Sequence, residues 1–343
     1  MQVLVIGGSR FSGPEILTRL VEKGHDVIVA NRGKSEKGKI AANIKDTKFN
    51  YPEGITKVTV DRQKKTELIK LLSKQSFEAI IDTCAYKVQD IQPILNNTPE
   101  SLEHYVFTST ASVYDFDNIR FFPIKETAPI GPMSADSSDE YSRNKRRIEA
   151  ALQKAYDENN FPFTMIRPTY IYGPNNPLYR ETYFFDRFMD NKSLYIPGTG
   201  EFLVDFVYAK DVAWLLTEPL EQSQAIGEVF NAAGQGGITL NSYVELLAEI
   251  TNNEIPIIHY DPNTLQKKEL ESAKKFETFP YQYDAHLVLS RTKTEKLLNY
   301  IPTPLKKGLS ETFIWYTKNK EEKWQAKYSI DEKIADKIKN VRK

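Results

Sequence analysis

Short β-branched runs alternate with amphipathic stretches along the first half of the chain. "VLVI" (3–6) is fully apolar and predicts a buried strand. The segment "PEILTRLVEKG" then repeats Ile16, Leu17, Leu20 and Val21 at helical spacing and stops at Gly24. The same reading gives strands at 26–31, 57–61, 77–85 and 104–110, with helices at "TELIKLLSKQ" and "DIQPILNNT" among them. A helix through "RRIEAALQKAYDEN" and a strand at 163–169 complete the series. Strand and helix alternating over short links predict parallel strands with helices on both faces, a doubly wound, Rossmann-like α/β sheet. Strands that are apolar throughout suit a sheet buried on both sides.

After residue 172 the rhythm loosens into a stretch rich in Pro, Asn and aromatics, which predicts a smaller, irregular α/β part. "FLVDFVYAKDVAWLLTEPL" predicts a strand running into a helix, and "EVFNAAG" (228–234) a further strand, both returning to the sheet. The expected division is 1–175 as a dinucleotide-binding unit joined by 204–234, with 176–343 mainly a substrate-binding lobe and a helical tail. In the tail, Ile330, Ile334, Ile338 and Val341 form a stripe, and Ser329 with Glu332 reads as a capping box. That stripe packs either on its own lobe or on a partner, which leaves a homodimer open.

Charge removes some function classes. Lys plus Arg equals Asp plus Glu, 46 each, so no global field recruits nucleic acid or an anionic membrane. The single cysteine, Cys84, excludes an internal disulfide framework, and four histidines without ligand spacing leave no metal site to expect. The chain enters its first apolar run without a basic leader, and no run reaches the roughly eighteen apolar residues of a membrane span. A cytoplasmic protein is the expectation.

"VLVIGGSRFSGPEILTRL" places Gly7, Gly8 and Gly13 between the first strand and the first helix, around Ser9, Arg10 and Phe11. Glycines there let the backbone turn tightly and approach a pyrophosphate at the helix N-terminus. Arg10 stands where G-x-x-G-x-x-G would have its middle glycine. The second strand ends in Asn31 and Arg32 rather than in the acidic residue that would bond the ribose of NAD. Cations at both places suit a phosphorylated ribose, so NADP is favoured over NAD. In "EYSRNKRRIEA" (140–150), Tyr141 precedes Lys145 by one helical turn. By itself this spacing only shows that two side chains share a helix face.

With the glycine turn, the strand ending "FTST", the tyrosine and lysine, "RPTYIYGP", "IPGTGEFLVDFVYAKDVA" and "GEVFNAAG" in that order, the sequence resembles the short-chain dehydrogenase/reductase superfamily in its extended NAD-dependent epimerase/dehydratase branch. "GGSRFSG" and "NRG" are similar to an atypical subgroup that includes chloroplast stem-loop-binding proteins. The resemblance spans residues 1 to 315 or so. It implies that Tyr141 is the general acid/base, and that Lys145 lowers the tyrosine's pKa and holds the nicotinamide ribose. Thr110 would bond the reacting oxygen, with Ser109 and Ser112 close enough in sequence to compete for that role. It further implies that Asp61 contacts the adenine, that Thr83 and Ala85 line the cofactor, and that Pro168 and Tyr170 flank the nicotinamide.

Two departures bear on the substrate. "TAS" follows Ser109 where the 4,6-dehydratases carry an Asp-Glu pair, which argues against 4,6-dehydration. Val204 precedes Asp205 where many nucleotide-sugar enzymes have an arginine for the diphosphate, leaving Arg180, Arg187 and Lys210 as candidates. The expected function is an NAD(P)-dependent epimerase or oxidoreductase acting at a carbinol carbon of a sugar nucleotide or related small hydroxy or keto compound. The alternatives are an NADP(H)-binding regulatory module and an RNA-binding protein on the same fold; the charge balance disfavours nucleic acid.

Overall fold

The computed structural model describes residues 1–33, 41–45, 50–134, 139–265 and 277–341. The first half builds β1 (Gln2–Ile6), α1 (Gly13–Glu22), β2 (Asp26–Asn31), β3 (Thr56–Thr59), α2 (Lys65–Leu72), β4 (Ala79–Asp82), α3 (Val88–Asn96), β5 (His104–Thr108), α4 (Glu140–Asn159) and β6 (Phe163–Pro168). After these come β7 (Tyr170–Tyr172), α5 (Glu181–Met189), β8 (Leu194–Pro197), β9 (Leu203–Val204), β10 (Phe206–Tyr208), α6 (Ala209–Thr217), β11 (Glu228–Ala232), β12 (Ile238–Thr239), α7 (Leu240–Thr251) and β13 (Ile257–Tyr260).

Seven strands form one parallel sheet in the order β11-β6-β5-β4-β1-β2-β3. Successive residues of a strand point to opposite faces, and the apolar runs split accordingly. Val3, Val5, Val27, Val29, Ala79 and Ile81 pack with α1 and α6. Leu4, Ile6, Ile28, Ala30 and Ile80 pack with α2, α3 and α4 on the other face. Both faces are covered, as fully apolar strands demand. The winding direction reverses between β1 and β4, and open sheets of this kind leave a crevice at such a point.

The segment 203–208 departs from the expectation. It does not enter the large sheet: β9 pairs with β12 and β10 with β7. The buried carboxylate of Asp205, between β9 and β10, accepts hydrogen bonds from the Gly234 and Leu289 N–H groups at 3.0 and 3.4 Å. That breaks the run into two short strands with different partners. Only β11 returns to the large sheet. Around these short strands lies an aromatic cluster, in which Phe206 stacks on Tyr243 at 4.7 Å and Phe184 on Tyr281 at 5.6 Å.

The last helix, Ser329–Val341, buries Ile330 and Ile334 against Tyr195 and Leu265 with Ile338 partly buried beside them, so these three stripe residues are covered from within the chain; the Val341 side chain lies outside the described residues. The expected capping box does not form. The Glu332 N–H goes to the Tyr328 carbonyl at 2.9 Å, and the Ser329 hydroxyl donates to Glu277. Among the described residues no helix is long and apolar enough to cross a membrane.

Candidate active site

A cleft of about 1320 Å³ opens at the carboxyl ends of the strands, and the glycine turn, Thr110, Tyr141 and Lys145 all line it. Three elements supply these groups. The turn between β1 and α1 needs its glycines: Gly7 and Gly8 have φ of +104° and +71°. A Cβ on Gly7 would lie 2.3 Å from Thr83 Oγ1, and one on Gly13 would lie 2.4 Å from the Gly8 carbonyl carbon. Phe11 also takes a left-handed conformation, at φ +53°, which nothing in the sequence announced. Ser12 precedes α1 without capping it through its side chain, so the first turn of that helix has no side-chain acceptor of its own.

The second element is α4. Asp139 caps it by accepting from the Ser142 N–H at 3.2 Å. Ser142, Lys145, Ile148, Glu149 and Leu152 recur at helical spacing and form its buried face. Lys145 is thereby sunk beneath the cleft floor, where its ammonium donates to the carbonyls of Ala85 (2.9 Å) and Thr108 (2.7 Å). The rings of Phe107, Tyr86 and Tyr141 surround it, with centroids 4.6, 5.2 and 5.9 Å from Nζ. Burial pushes its pKa down to about 8. Tyr141 stands at the edge of this face, 45% exposed, with its ring 6.3 Å from that of Tyr86.

Lys145 was expected to lower the Tyr141 pKa, and in this structure the phenol is instead pushed up. Crowding by the cleft walls is the main cause, opposed by a hydrogen bond with Thr110. The Lys145 ammonium meanwhile points its hydrogen bonds at two main-chain carbonyls.

The third element is the end of β5. Thr110 accepts from the Ser112 N–H at 3.2 Å and shares a hydrogen bond with the Ser112 hydroxyl at 2.8 Å. Ser109 is committed elsewhere. Its hydroxyl donates to Glu149 at 2.6 Å, and Glu149 is held by Arg167 at 2.7 and 3.0 Å in a buried ion pair. Of the competing hydroxyls, Ser109 is thus taken up by Glu149, while Thr110 and Ser112 both line the cleft.

The remaining predicted residues fall as follows. Ser9, Arg10, Phe11, Asn31, Arg32, Asp61, Thr83, Pro168 and Tyr170 line the cleft. Asn31 uses its side chain internally, donating to Tyr51 and accepting from the Gly33 N–H, both at 2.8 Å, and so shapes the turn that carries Arg32. Arg10 and Arg32 are exposed. Asp61 accepts from the Gln63 N–H at 3.2 Å, and Thr83 donates to the Ile6 carbonyl at 3.0 Å. Ala85 is fully buried and does not line the cleft; what it offers is its carbonyl, to Lys145.

Sequence reasoning missed Arg62. Its guanidinium grips the buried Asp82 at 2.7 and 2.8 Å and the Asp90 carbonyl at 2.8 Å, beside the cleft. Its position one residue after Asp61 at a strand end was the available signal. Tyr86 was missed as well.

These features suit a dinucleotide. The glycine cradle leaves the start of α1 open to a pyrophosphate, the exposed Arg10 and Arg32 line the same cleft, and the hydroxyls of Thr108 and Thr169 are buried on it with no hydrogen-bond partner among the described residues. Among the described residues no cluster of His, Cys, Asp and Glu could hold a metal ion.

Comparison with known proteins gives the following. A family model described as NAD dependent epimerase/dehydratase family matches residues 3–92 and 94–233. The chloroplast stem-loop binding protein of 41 kDa b from Arabidopsis thaliana is 29% identical over 315 residues, which are 91% of this chain and 78% of that protein. The UDP-glucose 4-epimerase of Thermotoga maritima, solved with UDP-glucose, is 22% identical and superposes with a TM-score of 0.72 over 93% of this chain and 99% of its own. The dTDP-glucose 4,6-dehydratase of Bacillus anthracis, solved with NAD, is 19% identical, with a TM-score of 0.71 over 94% and 98%. At such identities the two solved structures speak for the fold alone.

Proposed function

We propose that this chain, which belongs to the NAD dependent epimerase/dehydratase family, is an NADP-preferring oxidoreductase or epimerase acting at a carbinol carbon of a small hydroxy or keto compound. A sugar nucleotide is one candidate for that substrate. The observation that carries the reading is the convergence of Tyr141, Thr110 and Lys145 on the cleft that also holds the glycine turn. The nicotinamide, when bound, supplies the hydride acceptor or donor. Tyr141 takes or gives the hydroxyl proton, and Thr110, on the same cleft, orients the reacting oxygen. Lys145 keeps a positive charge under the site at neutral pH. Arg10 and Arg32 favour a ribose phosphate by charge. We take 1–175 with 204–234 as the dinucleotide-binding unit and 176–343 as mainly the substrate-binding part, supported by the return of β11 to the large sheet.

Dehydration at C4 and C6 is set aside. Ala111 and Ser112 stand where that chemistry needs a carboxylate pair, and nearby Asp139 is occupied in capping α4. One observation favours a second reading, a cofactor-binding module without turnover: Lys145 is bonded to main chain and the Tyr141 pKa is raised.

Single-turnover hydride transfer, followed by nicotinamide absorbance over a panel of hydroxy and keto compounds, separates the two. Tyr141→Phe should keep the cofactor affinity and lose about 10²–10⁴ in rate, the usual contribution of a general acid/base. Wild-type turnover in that variant would remove Tyr141 as the acid/base, whereas no hydride transfer by the wild type over the whole panel would leave the module reading standing. Calorimetry should find NADPH bound more tightly than NADH, with Arg32→Ala shrinking the difference by about 1.5–3 kcal/mol, the range for a hydrogen bond to a charged group. Equal affinities would end the NADP preference.

A further inference from the structure

The substrate end of the cleft has a composition of its own. Phe116, Tyr170 and Leu287 pack in one cluster with Ala111, next to Thr110, and Pro177 and Leu178 extend the wall. Arg180 projects into this apolar surface. Its guanidinium lies 4.9 Å from the centre of the Tyr170 ring, and the Tyr170 hydroxyl is fixed by accepting from the Gln282 N–H at 3.2 Å.

No carboxylate among the described residues is paired with Arg180. The adjacent Glu181 is turned away, accepting from the Gly173 N–H at 2.8 Å and from Asn176 at 2.8 and 3.1 Å. The positive charge is felt at the phenols of Tyr141, Tyr170 and Tyr281, where it opposes the upward push of burial.

The other two cations considered for a diphosphate are not available. Arg187 is 1% exposed on its side chain and locked to Asp331 at 2.9 Å. Lys210 pairs with Glu311 at 3.5 Å and does not line the cleft. Val204 is fully buried.

We infer that Arg180 receives a single compact anionic group, a carboxylate or a phosphate monoester, on a hydroxy or keto substrate whose remaining body is apolar. This rests on the oxidoreductase reading and narrows its substrate away from nucleoside diphosphates. A guanidinium over an aromatic face is held in place yet keeps its N–H edge free for two oxygens. The apolar wall favours a hydrocarbon or aromatic body, because it offers few partners to a ring of hydroxyls.

The test is calorimetry on the full chain, with and without bound NADPH, using mandelate, phenyl phosphate, neutral benzyl alcohol and UDP as probes. Wild type should bind mandelate or phenyl phosphate at least about tenfold more tightly than Arg180→Gln does, with Arg180→Lys in between, as loss of a charge-assisted contact implies. Which of the two anions responds identifies the group. Benzyl alcohol should not distinguish the variants, and UDP should gain less than about tenfold over phenyl phosphate. The inference is overturned if neither anion loses affinity in Arg180→Gln, or if UDP gains tenfold or more. NADPH affinity is read in the same titrations and should be unchanged in Arg180→Gln. Failure of wild type to bind NADPH would sink the dinucleotide reading, while the anion titrations would still decide this one.

Discussion

At the scale of the residue, the fold changes the chemistry of Lys145 at the floor of the cleft. It is buried among three aromatic rings, and that burial holds its pKa at about 8. At neutral pH the ammonium form dominates, and on the proposed reading it helps to hold an anionic cofactor. As pH rises through about 8 the charge is lost, so dinucleotide affinity should be flat on the acid side and fall across that range. In Lys145→Met the step should vanish, leaving weaker, pH-independent binding, and fluorescence titration across the range checks both. The stability term has the opposite slope. The folded pKa lies below the unfolded value of about 10.4, so the unfolded chain holds more protons in between, and this group's contribution to stability rises with pH there. The Tyr141–Lys145 pair was legible because helical spacing needs only local sequence. Which of Arg180, Arg187 and Lys210 faces the cleft was not. Their directions are set by distant partners, Tyr170, Asp331 and Glu311, that no local pattern reveals.

At the scale of the element, the glycine turn shows why the dinucleotide signature could be read and the short strands could not. Gly13 is demanded by one close approach, since its Cβ would meet the Gly8 carbonyl group, and such a demand leaves a mark at a fixed place in the sequence. Gly13→Ala should therefore force the turn apart. It should cost about 1–3 kcal/mol, as overpacking does, and weaken NADPH binding in the same variant. Chemical denaturation and calorimetry on one preparation measure both; an unchanged midpoint with unchanged affinity would contradict the geometry. The strands of the large sheet were legible because two buried faces require continuous apolar runs. β9 and β10 look just as apolar, yet they part at Asp205 and pair with β12 and β7. That choice is made by the backbone donors of Gly234 and Leu289, far along the chain. The capping box at Ser329 failed because the helix starts a residue early, with the Tyr328 carbonyl taking the Glu332 N–H.

At the scale of the whole molecule, the tail is bound to α5, the helix that begins after Arg180 of the cleft wall. Asp186, fully buried in that helix, accepts from Tyr179, Tyr316, Trp324 and Lys320 at 2.6 to 2.8 Å. One residue on, Arg187 lies 3.3 Å from the centre of the Tyr183 ring and is gripped through two nitrogens by Asp331 of the last helix, each at 3.0 Å. Burial pushes the Asp331 pKa up and the guanidinium draws it back, so the pair is an ion pair in a dry place. Breaking such a pair from one side leaves an uncompensated buried charge, which costs about 3–5 kcal/mol, whereas replacing both partners with apolar side chains is often neutral or better. Asp331→Ala should accordingly lower the urea midpoint sharply, and Arg187→Met with Asp331→Leu should recover most of the loss. NADPH affinity in the double variant should match wild type, because the glycine turn and α4 lie on the large sheet, apart from this contact. If Asp331→Ala unfolds at the wild-type midpoint, the tail is not held by this pair, and the Asp186 contacts together with the buried Ile330 and Ile334 carry the attachment.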